Sequence, residues 1–400
     1  MSLDHGDHWH LLGKGPAGEG DGATVPTIAM RDLAIQRRDD DLVVASFGRG
    51  FYVLDDYSPL RGLSADALAA PATMFPIRRA WRYVPNRVMQ AKGQPTLGST
   101  AWRSDNPDFG ATITYHLAED IQTTHASRRA AEKDTEGDVE FPGWDRLWDE
   151  HLETDPVLLL VVRDNNGAVV RTMPAPHTKG LHRVTWDLRG PAPDPVSLAK
   201  PGFVEPWVED PQGPLLDAGG YTAELVHMVG GTTDTLAGPE PVDVIDTPAV
   251  DGTSGDTDFA QTTADLRRRI AGAAKEIDTA RDRFRHLRVA VAAAPGAGPD
   301  LHARLDDVHR RVEDLARRLT GDPVRAKLDD PANPSVRELV DRVGHFHWST
   351  TRPPTATQRT SIDRATTEFT SLRPDLTAAL AELAAVTGAI DDAGGTWTPR

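Results

Sequence analysis

Cysteine is absent from this 400-residue chain, which excludes a disulfide framework and thiol chemistry but does not fix a compartment. Lysine is scarce, with seven residues against 37 arginines, a balance that fits a GC-rich genome and a salt-adapted proteome equally. Long hydrophobic runs are missing: no apolar stretch approaches the roughly 20 residues of a membrane helix, so a membrane span is not expected. Positive charge is in deficit, 44 Lys and Arg against 60 Asp and Glu. The formal net charge of −16 repels phosphate and argues against a nucleic-acid partner. A signal peptide is not visible, because Met1-Ser2-Leu3-Asp4-His5-Gly6 turns polar at once. A nucleophile elbow, a P-loop, a zinc-protease HExxH and a dinucleotide fingerprint are also missing.

What is present points to several domains. The length favours two or three, and 34 Gly with 31 Pro leave much of the chain to turns and linkers. Residues 1–60 read as β, with apolar runs at Thr27–Ile35 and Leu42–Leu54 and turns at Arg38-Asp39-Asp40-Asp41 and Gly48-Arg49-Gly50. Residues 61–105 hold no sustained period and read as an extended connector. Residues 106–248 read as an antiparallel sandwich. Its strands are Ala111–Leu117, Leu158–Arg163, Ala168–Met173, Leu181–Leu188, Tyr221–Val229 and Val242–Ile245, with a hairpin turn at Asp164-Asn165-Asn166-Gly167. A charged insert, 118–155, interrupts them, and Pro191–Pro214 reads as a long loop.

The period changes after a linker at 249–256. Leu266, Ile270, Ala273, Ile277, Ala280, Phe284, Leu287 and Val291 step by alternating fours and threes, as do Leu301, Leu305, Val308, Val312, Leu315 and Leu319. Each set is one apolar stripe on a helix. Asp300 is expected to cap the second helix, and further helix is expected at Pro334–His347 and Thr355–Ile390. Pro374 should kink the last piece or start a new helix. Short connections imply an antiparallel bundle of about four helices over 257–392.

Ser2-Leu3-Asp4-His5-Gly6-Asp7-His8-Trp9 fits S-x-D-x-G-x-x-W, and here the chain resembles the Asp-box of bacterial neuraminidase repeats, the hairpin turn of a β-propeller blade. In that turn Asp4 would accept backbone N–H bonds, Gly6 would take the strained φ, and Trp9 would pack between blades. Asp41–Asp56 looks like the final blade of sortilin-like, sialidase-like propeller proteins, with Phe47 where members often carry His before Gly-Arg-Gly. Asn106–Tyr115 resembles the start of the same family's C-terminal region. Asp164–Arg171, Gly180–Arg189 and Gly219-Gly220-Tyr221-Thr222 are similar to its immunoglobulin-like domain, itself similar to one in flagellar hook-capping proteins.

The resemblance implies the C-terminal half of a larger protein, often labelled glycosyl hydrolase or exo-sialidase, whose substrate pocket would lie in blades outside this chain. Relatives of that kind are expected to be secreted or periplasmic.

A sialidase-type site needs three Arg, a Tyr–Glu pair and an Asp from several blades. Only Arg49 and Asp55 are candidates here, and turn or inter-blade bonding accounts for both. His5, His8 and His10 form H-x-x-H-x-H, but Asp4 is committed to the turn and a metal needs three or four converging ligands. The alternating His345-Phe346-His347 is read as packing or surface.

The adjacent carboxylates Asp55/Asp56, Asp149/Glu150, Asp306/Asp307 and Asp329/Asp330 cannot face each other across a pocket as glycoside hydrolysis requires. Trp186 with Tyr221 reads as sandwich core rather than a sugar platform. Trp144 and Trp148 share one helical face, either covering the sandwich or forming an exposed contact patch, with the former favoured.

The resulting reading is a multidomain β plus α chain: a propeller-blade remnant, an Ig-like antiparallel β-sandwich and a C-terminal antiparallel helical bundle. It is non-catalytic, without metal or cofactor, and supports the remaining propeller blades or contacts another protein. The alternatives are a glycoside hydrolase whose site lies in the missing blades and a carbohydrate-binding sandwich. Trp144 and Trp148 are the binding candidates, and Ser2, Asp4, Gly6 and Trp9 are the Asp-box residues.

Overall fold

The structure is a computed structural model that describes residues 2, 6, 7, 9, 28–85, 106–198, 202–203, 211–229, 232–248 and 256–395. It contains both β-sheets and helices and divides into two compact units. One comprises the described residues up to 85 with 106–188 and 217–248; the other comprises 189–216 and 256–395.

The first unit holds three sheets. Strands β1 (Met30–Gln36), β2 (Asp41–Ser46) and β3 (Phe51–Leu54) form an antiparallel meander. The chain then passes through a 3-10 turn and a short helix, α1 (Ala65–Ala69), to β4 (Ala72–Met74) and β5 (Ala80–Arg82). Residues 61–85 are thus no extended connector. They place one strand in each of the two other sheets and bury Met74, Phe75, Ala80 and Arg82.

Those sheets also use β6 (Ala111–Leu117), β7 (Val157–Asp164), β8 (Val169–Ala175), β9 (Gly180–Trp186), β10 (Gly219–Val229) and β11 (Thr232–Asp246). The orders are β4-β6-β9 and β5-β11-β10-β7-β8, antiparallel except for the β5–β11 pair. Alternation decides the core: Ala111, Ile113, Tyr115 and Leu117 of β6 are buried, as are Leu158, Leu160, Val162, Ala223, Leu225, Val242 and Val244. Trp186 of one sheet meets Tyr221 of the other edge to face, ring centroids 5.1 Å apart. The β7–β8 hairpin turns where Gly167 takes φ +80°, and the Asp164 carboxylate accepts the backbone N–H of Asn166 and Ala168, each at 2.9 Å.

The chain leaves this unit at Leu188 and returns at Asp217. The expected sandwich span of 106–248 is corrected here, because 189–216 belongs to the helical unit. The physical reason is Arg189. Its buried guanidinium donates to the carbonyls of Gly213 (3.0 Å) and Trp348 (3.3 Å), while Asp194 pairs with Arg267 at 3.4 Å. A proline-rich segment with no apolar period offers nothing that would reveal such an anchor.

The second unit is built on α4 (Thr257–Ala293), α5 (Pro299–Thr320), the short α6 (Pro323–Lys327), α7 (Val336–His347) and α8 (Ala356–Asp392). Every residue of the first apolar stripe, Leu266 to Val291, is buried, as are Leu305 to Leu319 of the second. Contacts along the helices set their directions. Arg281–Glu313 and Arg267–Asp341 run α5 and α7 antiparallel to α4, while Arg359–Asp256 and Arg373–Glu276 run α8 parallel to it.

The four long helices α4, α5, α7 and α8 therefore lie in three rods. At 1.5 Å per residue α4 and α8 are each about 55 Å long, and α5 and α7 end to end supply about 51 Å, one middle rod broken at 321–335. One local expectation is corrected. Gly298, not Asp300, caps α5, with Pro299 and Asp300 in the first turn. Of the two outcomes expected at Pro374, no new helix starts there: α8 runs on through it as one long helix, with Pro374 and Thr370 both exposed.

His347 is buried at the end of α7 with neither ring nitrogen hydrogen-bonded, its ring 5.1 Å from that of Phe259. Burial holds its pKa below the ordinary 6.5; Arg359 acts in the same sense and Asp256 opposes. Burial likewise lowers His116 and His309. A histidine depressed in the folded state takes up its proton more readily when unfolded, so stability is full above pH 6.5 and declines as pH falls below it. The thermal midpoint of the helical signal should drop between pH 7.5 and 5.5, and His347→Leu should flatten that drop.

Candidate functional site

Two surfaces of the first unit depart from the pattern of the rest. The first is the β1–β2–β3 sheet. Its register places Leu33, Val44 and Tyr52 in one row and Ile35, Leu42 and Leu54 in the next, all on one face. Ala34, Val43 and Val53, with Ala45 and Phe51, lie on the other. Both faces are thus apolar, yet no residue of the three strands is buried. Leu33 is 64 % exposed and Ile35 55 % on one side; Phe51 is 72 % and Val53 53 % on the other. An antiparallel sheet with one wet face alternates apolar and polar residues, whereas a sheet covered on both sides is apolar throughout. The outer edges of β1 and β3 are also unpaired among the described residues.

The sheet is held at one end. Arg183 of β9 donates to the backbone carbonyls of Asp55 (2.8 Å) and Asp56, and Arg78 donates to that of Asp39. The Asp41 carboxylate accepts the N–H of Asp56, which sits at φ +44° and is buried, its own carboxylate taken by Ser58. Asp55 is pushed above the usual carboxylate range, first by burial and then by Asp41, against Arg183 and Arg78. The cluster works as a clamp of arginine on backbone carbonyls. The far end, Gly48-Arg49-Gly50, is exposed, and Arg49 and Asp55 sit at opposite ends of β3. They do not form a site together.

The second surface lies in the charged insert. Helices α2 (Thr124–Asp134) and α3 (Trp144–Leu152) bury no residue. What joins them is polar: Arg128 binds Glu150 through two hydrogen bonds of 2.7 and 2.6 Å and also pairs with Glu132. Glu153 accepts the first N–H groups of α2, from Thr124 and His125. The Arg128 side chain is 11 % exposed and that of Glu150 only 4 %.

The apolar residues face the other way. Trp144 is 78 % exposed, Trp148 61 %, Leu152 61 % and Phe141 57 %, with the Phe141 ring edge-on to Trp144 at 5.1 Å. The expectation that Trp144 and Trp148 cover the sandwich is overturned. Leu152 and Phe141 extend their ridge, and the W-x-x-x-W-x-x-x-L spacing signals Leu152 in the sequence. Nothing local signals the clasp, which spans 22 residues.

Gly6 has φ +108° and donates its N–H to Ser2 Oγ at 2.7 Å; the Trp9 indole donates to the Gly6 carbonyl and is 76 % exposed. Asp4, His5, His8 and His10 lie outside the described residues. Trp186 is fully buried, and His345 and Phe346 are exposed beside the buried His347. Glu150 is committed to Arg128, Asp306 approaches Arg288, and Asp330 approaches Arg325. Among the described residues, no cluster of three or more His, Asp or Glu could hold a metal, and no helix is long and apolar enough to cross a membrane. No family model, no curated protein and no solved structure matches the chain.

Proposed function

We propose that this chain is a non-catalytic support region of a sialidase-like Asp-box propeller protein. In this reading β1–β3 is a terminal blade, β4–β11 an Ig-like sandwich and 257–392 a supporting helical bundle. The observation that carries it is the sheet that is apolar on both faces and yet buries no residue on either. A propeller blade packs a neighbour against each face, and a sheet so covered is apolar on both sides. Fastening by arginine to backbone carbonyls at one end suits a blade presented outward. The partner is then the remaining blades. The carbohydrate-binding reading of the sandwich gains no support, since Trp186 points inward.

The absence of cysteine gives a clean test. Leu33→Cys and Phe51→Cys each install one thiol, on opposite faces. In the chain alone both should react with a maleimide at the rate of a free thiol, and both should slow markedly once joined to the other blades of such a propeller. Protection of neither face would sink the blade assignment. The chain alone should not turn over aryl glycosides, and turnover abolished by Arg49→Ala would overturn the non-catalytic reading.

A further inference from the structure

We propose that the α2–α3 hairpin is a docking surface for a basic amphipathic segment of a protein partner. This does not rest on the blade assignment, because it concerns a different surface. The hairpin is inverted relative to an ordinary helical pair: the contact between its helices is the Arg128–Glu150 ion pair, and its aromatic groups stand outside. A solvated helix has no cause to present Phe141, Trp144, Trp148 and Leu152 on one exposed ridge, each more than half exposed. The ridge from Trp144 to Leu152 is about 12 Å long, a length that receives two turns of a partner helix.

The surrounding charge selects the occupant. Glu136, Asp138 and Glu140 lead into Phe141, and Asp145 and Asp149 follow the two tryptophans. All five are exposed, and none makes an ion pair or hydrogen bond among the described residues. Arg146, the one cation on α3, is already directed at Glu150 at 3.4 Å. Free carboxylates around aromatic faces suit Lys and Arg, which pair with the former and stack on the latter. They oppose anionic membranes and nucleic acid. A second copy of a chain of net charge −16 is a poor occupant for the same reason.

The probe is a labelled synthetic helix of about 18 residues, with leucine on one face and lysine elsewhere. Its anisotropy is followed against the full chain. The peptide should bind, and binding should weaken as salt rises. Trp144→Gln with Trp148→Gln should reduce affinity by more than about tenfold, the scale on which an interface tryptophan counts. Asp145→Asn with Asp149→Asn should weaken binding and flatten its salt dependence. Far-UV circular dichroism should be unchanged in both, since the altered side chains are exposed. The proposal fails if the tryptophan variant binds as well as the parent, which would mean only general attraction to an acidic chain. It also fails if a leucine–glutamate peptide binds equally, or if a neutral hexasaccharide displaces the probe.

Discussion

Ile277→Asp is expected to melt the helical unit at temperatures where the parent chain is fully folded. Ile277 stands at the middle of α4, is 1 % exposed, and belongs to a core that includes Phe284, Val312 and Leu376. The change removes an apolar side chain worth about 1.5–3 kcal/mol of burial and leaves a carboxylate where no cation reaches. The neighbouring cations lie outside the seam: Lys275 is exposed, Arg281 pairs with Glu313, and Arg373 of α8 pairs with Glu276. An unpaired charge in such a place costs about 3–5 kcal/mol, a large part of the 5–15 kcal/mol that holds a typical domain together. Urea unfolding followed by helical circular dichroism should show the loss. Thr279→Asp, two residues on and exposed, should change stability by less than about 0.5 kcal/mol. Equal midpoints for the two variants would mean that the stripe does not face the core.

Gly110→Ala should destabilise the β unit by about 3–5 kcal/mol, although it adds a single methyl group. Gly110 sits at φ +135°, which costs an L-residue about 1–3 kcal/mol, and a Cβ there would lie 1.9 Å from the Trp186 carbonyl oxygen. Backbone must move. The strand that would have to yield is fixed by the Ala111–Trp186 pairing and by the buried indole packed on Tyr221, so overpacking adds about 1–3 kcal/mol. Gly167→Asn is the matched control. It also has positive φ, +80°, but nothing lies within 4 Å of its Cβ, and asparagine tolerates that conformation. Its cost should stay below about 1 kcal/mol. Tryptophan fluorescence in a urea titration separates the two, and equal losses would mean that conformation alone, not the close approach, makes Gly110 necessary.

The apolar stripes of α4 and α5 were legible because helix burial is a local pattern: Leu266 through Val291 repeat at the spacing that one face demands. That α5 and α7 form one broken rod was not legible, since it depends on Asp341 and Glu313 meeting different lengths of α4. The same limit governs the two candidate surfaces. Spacing alone places Trp144 and Trp148 on one helical face, but it does not say whether that face is covered. The answer depends on Arg128 reaching Glu150 across 22 residues. Likewise the run Leu42-Val43-Val44-Ala45 implies a sheet apolar on both sides, while its exposure follows from tertiary structure. Arg189 and Arg183 act on backbone carbonyls, partners that carry no sequence signal.

Amide hydrogen exchange on the dilute chain measures the central claim, that β1–β3 is an interior layer without its neighbours. Exchange should be fast across Leu42–Leu54, where no residue is buried and both outer edges of the sheet are open among the described residues, and slow across Val184–Leu188, which carries the fully buried Trp186 and Leu188. Fast exchange in the first segment with slow exchange in the second is the predicted result. Equal protection of both in a monomer would contradict it, because a sheet so protected already has the neighbours that the blade assignment says it lacks.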